Sequence, residues 1–291
     1  MESYIVTGVK NAHKSIIARD LSFAEALALT KQKANEYDTV QIEETHEISN
    51  TPDKFLVVAD CNMHLKELKL LLGIPKHPEE QVVFLGNYVS DNTGFSTFLS
   101  YLVKLTKSRR CVFVKGKNEH NLLEYIHQTD RYIGNLKEIQ AMIRSIEEDL
   151  GFPLYSLPEK FPDFYHILSE SIDFYENDRY IFVSGGLDLS TDYWRQTPSE
   201  LLFETTEDFL LSPNETGKKI VFGDKSVRLL NRTHLVRPWF NMKKDKIGIN
   251  GDCKENGKLL GMFIYEDSTY YLGIRNKSDD QSKNKQPALS L

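Results

Sequence analysis

Five apolar runs in this sequence stop at a polar side chain that a reaction or a ligand could use. FLVVAD ends at Asp60, VVFLGN at Asn87, CVFVKGK at Lys117 and KIVFGD at Asp224, while YIFVSGG passes Ser184 before its glycines. A short, unbroken apolar run reads as a strand buried on both faces, and the residues just beyond it are where a layered sheet presents working groups. Carboxylates at such ends hold cations or move protons, so Asp60 and Asp224 have usable chemistry. Asn87 is the exception. Its strand has the apolar lead-in and the glycine of a catalytic strand end, yet it delivers a neutral amide.

The elements that must position these groups alternate. Helical patterns at about His64–Leu72, Phe95–Lys107, Glu119–His127 and Asn135–Leu150 fall between the early strands. Alternating strands and helices imply a layered α/β domain with buried strands. Residues 152–178 are rich in Phe and Tyr and read as a helical insertion over the site. Its Phe161, Phe164, Tyr165, Phe174 and Tyr175 fit a helix-face core. Late strands are expected at Lys246–Asn250, Leu259–Tyr265 and Thr269–Ile274. The polar tail 276–291 has the composition of a disordered segment. Ahead of this domain, residues 1–45 form a ββαβ module: strands at Tyr4–Val6, Ser15–Ile17 and Val40–Ile42, with a capping box at Ser22–Glu25 opening a helix. Phe23, Leu27, Thr30, Ala34 and Tyr37 share one face of that helix. Residues 46–54 are a polar linker.

Composition narrows the function. The 291 residues carry a net charge of −6 and lack the basic field of a nucleic-acid binder. No apolar run approaches the roughly 18–20 residues that span a bilayer, and MESYIVTG lacks the pattern of a signal peptide. Three widely spaced cysteines, Cys61, Cys111 and Cys253, predict reduced thiols and a cytoplasmic location. Cys61 has no base at a fitting spacing and reads as a small buried residue.

Taken in order, the strand ends resemble those of the calcineurin-like metallophosphoesterases, in the branch of serine/threonine protein phosphatases and diadenosine-tetraphosphatase-like enzymes. That family shows GDIHG, GDYVDRG, GNHE, HAG and GHTP; here the matching stretches are ADCNM (59–63), GNYVSDN (86–92), GKNE (116–119), SGG (184–186) and GDKS (223–226). LLEY after GKNEHN, and INGDCKENGKLLGM (249–262), match the family's framing residues. The resemblance covers about residues 55–265. It implies an αββα sandwich within residues 55–275, preceded by the ββαβ module.

The same resemblance implies a two-metal phosphoesterase site, and position by position most of it is missing. Asp60 is kept. Asn62 stands at a histidine position, Asn87 at the bridging aspartate, Lys117 at the ligand asparagine and Asn118 at the general-acid histidine. Ser184 and Asp224 stand at the last two histidines, and the phosphate-gripping arginine falls at or near Asp91. Two cations about 3.5–4 Å apart need a bridging carboxylate. An ammonium about 4 Å from a dication is repelled by about 8 kcal/mol at an effective dielectric of 20. Three expectations follow. The chain is a pseudophosphatase without a metal cofactor, acting by binding a protein partner or a phosphorylated ligand, with Lys115, Lys117 and Lys225 left as local positive charge. The alternative is an active phosphatase or nucleotide hydrolase holding Mn, Fe, Zn or Mg through Asp60, Asn87, Asp224 and His64 or His120. A third reading is a structural role. A lone buried Asp60 also needs a partner, and Lys117 is expected in the metal's place, paired with Asp60 or Asp224.

Overall fold

Successive side chains on a strand face opposite ways, and the apolar runs of this chain use both faces. The computed structural model describes residues 3–10, 13–21, 23–33, 39–45, 54–74, 79–127, 136–265 and 268–275. The chain divides into two units, Met1–Thr51 and Pro52–Leu291.

The first unit is a three-stranded antiparallel sheet with one helix: β1 Ser3–Lys10, β2 His13–Leu21, α1 Phe23–Lys33 and β3 Thr39–Thr45, with β1 between the other two strands. Ala34 and Tyr37, expected on the helix face, lie outside the described residues, and Leu27 on that face is 39% exposed.

In the second unit the elements run β4 Lys54–Val58, α2 Leu65–Leu72, β5 Gln81–Leu85, α3 Phe95–Ser108, β6 Cys111–Val114, α4 Lys117–His127 and α5 Leu136–Leu150. There follow α6 Leu157–Lys160, α7 Pro162–Ser169, β7 Phe174–Glu176, β8 Tyr180–Val183, α8 Ser199–Phe203 and α9 Glu207–Leu211. The chain continues through β9 Lys219–Ser226, α10 Val227–Leu230, β10 Trp239–Phe240, β11 Lys246–Asn250, α11 Cys253–Asn256, β12 Lys258–Tyr265 and β13 Ser268–Arg275. The strands form two five-stranded mixed sheets, β13-β12-β4-β5-β6 and β10-β11-β9-β8-β7.

Alternation along each strand stacks the layers. Val57, Val83 and Leu85 pack with Phe182, Val221 and Ile249 in a core shared by the two sheets. Leu56, Val58 and Phe84 face the other way, onto Leu68, Phe98, Leu122 and Ile143 of the helices. On the far side Ile181, Val183 and Phe222 pack on Trp194, Phe203 and Phe209. The order is helices, sheet, sheet, helices: the αββα sandwich expected from the strand-end motifs.

The segment 152–178 is helical only through Ser169. Ile172 bridges Val114 of β6, and Phe174–Glu176 pairs antiparallel with β8. Phe174 and Tyr175 are therefore strand residues, with Phe174 on Trp194 and Tyr175 on Phe182, whereas Phe164 does lie in the helix core. Tertiary pairing with the edge of β8 overrides the local pattern. The tail 276–291 lies outside the described residues, as does the linker up to Asp53.

Candidate functional site

Strands β4, β5 and β6 run parallel in one sheet, as do β8, β9 and β11 in the other. Their carboxyl-terminal ends carry Asp60, Asn87, Lys117, Ser184, Asp224 and Asn250. Ligand sites in open α/β sheets form at such ends. The loops there are tightly wound. Asp60, Asn62, Met63 and Asn87 all have positive φ, between 45° and 60°, a backbone region that costs an ordinary residue about 1 kcal/mol or more. Gly86 has φ +73°, and a Cβ there would lie 2.6 Å from both the Gly116 Cα and the Ser184 Oγ. Glycine at 86 lets three strand ends close on one another.

The carboxylate Asp60 is served by an amide. Asn250 Nδ2 donates to Asp60 Oδ2 at 2.9 Å and to the Asp224 backbone carbonyl at 2.5 Å. Burial, with Asp224 nearby, pushes Asp60 up to about 7, against the pull of Asn87, Asn250 and Asn62. Asp224 is also raised by burial; the Thr205 backbone N–H at 3.0 Å and the Lys117 charge oppose this. Lys117 itself is exposed and makes no ion pair with Asp60 or Asp224, which corrects the expected pairing. It opens α4, and its long stem lets the ammonium stay in water rather than be desolvated. Asn250 occupies the role foreseen for the lysine.

The amides act mainly on backbone. Asn62, buried, donates through Nδ2 to the Asp60 carbonyl, and Asn118 donates to the Val89 carbonyl at 2.7 Å. Asn87 Oδ1 accepts from the Asn118 N–H at 3.3 Å. Ser184 is fully buried, and its Oγ has no hydrogen-bond partner. Asp91 is exposed and pairs with Lys254 at 3.0 Å.

Neither histidine joins the strand ends. His64 Nδ1 lies 3.2 Å from the Cys61 carbonyl and 3.1 Å from that of Asn62, holding the loop before α2. His120 packs on the Phe203 ring, and burial lowers its pKa. Among the described residues no three His, Cys, Asp or Glu side chains are grouped to hold a metal ion. The donor set does not fit a two-metal centre: two carboxylates, each already accepting a hydrogen bond, stand among neutral amides. Cys61 is buried, and burial, with Cys253 beside it, raises its thiol well above the ordinary value.

Two further residues organise the site. Glu119, fully buried, accepts from the backbone N–H groups of Asn87 (2.7 Å), Val89 (2.8 Å) and Gly116 (3.0 Å). It ties the β5 loop to the β6 loop, and burial pushes its carboxyl up to about 7. Its signal in the sequence is the glutamate of GKNE. Asn250 was visible as the polar end of KIGIN, the sixth apolar run to stop at a polar residue.

No family model and no curated protein matches this chain. Solved structures do. A crystal structure of a proposed diadenosine tetraphosphatase matches with TM-score 0.53 and 16% identity, covering 78% of this chain and 96% of that one. A serine/threonine phosphatase from Saccharomyces cerevisiae matches with TM-score 0.49 and 14% identity, covering 78% and 82%. A cold-active protein tyrosine phosphatase variant matches with TM-score 0.49 and 12% identity, covering 80% and 92%. The first of these shares the fold of this chain, two facing mixed sheets with helices on their outer sides.

Proposed function

We propose that this chain is a pseudophosphatase: a protein of metallophosphoesterase fold that acts by binding and not by hydrolysis. The observation that carries the reading is the Asn250–Asp60 hydrogen bond at 2.9 Å. A neutral donor serves the one carboxylate kept from the family's ligand set, and burial favours its protonated form. Metal ligation needs the carboxylate ionised and its oxygens free. The replacements at Asn62, Asn87, Asn118 and Ser184 act in the same direction, since neutral oxygens bind hard cations weakly.

The ligand is a protein partner or a phosphorylated molecule. Lys117 supports the phosphorylated option, being an exposed cation whose charge reaches Asp224. Lys115 adds less, because it is already paired with Asp173 at 3.1 Å. The free thiols Cys61, Cys111 and Cys253 support a cytoplasmic setting. Among the described residues no helix is long and apolar enough to cross a membrane.

The deciding experiment is elemental analysis of protein purified from Mn-supplemented medium, with p-nitrophenyl phosphate turnover on the same sample. Near-zero metal and background turnover are expected. One or two metals per chain with turnover would overturn the proposal. Calorimetric titration with inorganic phosphate separates the two ligand classes. Heat that disappears in Lys117→Ala supports the phosphorylated ligand; no heat leaves the protein partner.

A further inference from the structure

Strand β13, Ser268–Arg275, is the outer strand of its sheet. All eight residues pair with β12 in an unbroken register, from Ser268 opposite Tyr265 to Arg275 opposite Lys258. The run STYYLGIR contains neither proline nor an inward lysine, and the register has no bulge. These are the devices by which proteins blunt a strand edge. The other sheet edges of this unit are managed: β10 has two residues and β7 three, and part of β6 is capped by Ile172, which donates to the Phe113 carbonyl at 3.0 Å and accepts from Lys115 at 2.7 Å. Along β13, Tyr270, Tyr271 and Leu272 are 60%, 53% and 41% exposed. The position a Cβ would take on Gly273 is open space.

We propose that β13 is a dimerisation edge whose partner is a second copy of this chain. Two antiparallel copies related by a two-fold axis normal to the sheet place one residue opposite itself. Centred on Leu272, that pairing sets Tyr271 of each copy across from Gly273 of the other, so the ring covers the open glycine.

The test is sedimentation equilibrium of the full chain over a wide concentration range. Wild type is expected at twice the 33.6 kDa chain mass, and Leu272→Lys, which opposes two ammoniums on the axis, at the monomer mass with an unchanged far-ultraviolet circular dichroism spectrum. Crosslinking provides the second readout. Directly opposite Cα atoms lie about 4.5–5.5 Å apart, within the roughly 4.4–6.8 Å a disulfide spans. Leu272→Cys treated with diamide is therefore expected to form a covalent dimer, and Thr269→Cys, away from the axis, is not. A wild-type protein that stays monomeric, or equal crosslinking of the two cysteine variants, would overturn the proposal.

Discussion

Asn250 and Asp60 lie 190 positions apart in the chain, and the amide of one donates to the carboxylate of the other at 2.9 Å. The contact joins the two sheets at their carboxyl-terminal edge, β11 to the loop after β4. It supplies the partner that a buried acid requires, and does so without charge.

That contact sets the effect of Asn250→Leu, which keeps the volume and removes the donor. Asp60 titrates at about 7, so the lost partner matters most when the carboxylate is ionised. A loss of about 1–3 kcal/mol is expected at about pH 8, and distinctly less at about pH 5. Urea unfolding at both values measures it. Equal losses would mean that the amide serves the Asp224 carbonyl alone.

The acids give the stability curve a definite sign. Asp60 and Glu119 are both raised to about 7, from ordinary values of 3.8 and 4.5. Between those limits the native state holds more protons than the unfolded state. Their contribution is full below about pH 4 and is lost as pH rises through about 7. Asp60→Asn removes one share of this loss. Asparagine also tolerates the positive φ of 50° at that position. The variant is expected to melt higher than wild type at about pH 8 and to show a flatter pH dependence. Thermal melts across the range decide; an unchanged slope would show that Asp60 does not titrate there.

Glu119 is expected to matter more to the fold than any other acid of the site. Glu119→Ala orphans three buried N–H groups, at about 1–3 kcal/mol each. Glu119→Gln retains an acceptor oxygen and loses less. Denaturation ranks the two variants, and amide exchange at Asn87, Val89 and Gly116 should accelerate in both. Slow exchange at those amides in Glu119→Ala would argue against the clamp.

Lys246 is fully buried in β11, and its Nζ donates to the Phe209 and Ser212 carbonyls at the end of α9 while lying over the Phe209 ring. Lys246→Met leaves those carbonyls without their donor, and a loss of about 3 kcal/mol is expected. Guanidinium unfolding measures it. A change below about 1 kcal/mol would mean that water replaces the ammonium.

The sequence by itself determined the layered α/β class and where its strands end; the αββα order came from the resemblance of those ends to a known family. Each apolar run had to be a buried strand because it offers no polar face, and each had to stop where the next residue could not be buried alone. Asp60, Asn87, Ser184 and Asp224 were therefore legible as strand ends before any contact was known. Tertiary structure alone decided how those groups are satisfied. Whether Lys117 or Asn250 serves Asp60 depends on the distance between residues 190 positions apart, which no local pattern encodes. Solvation tipped the outcome: an ammonium on a long stem reaches water, whereas an amide at the end of a buried strand can only bond inward. The same logic hid Glu119. In the sequence it is only the last residue of GKNE, and the fold brought three backbone N–H groups to meet it.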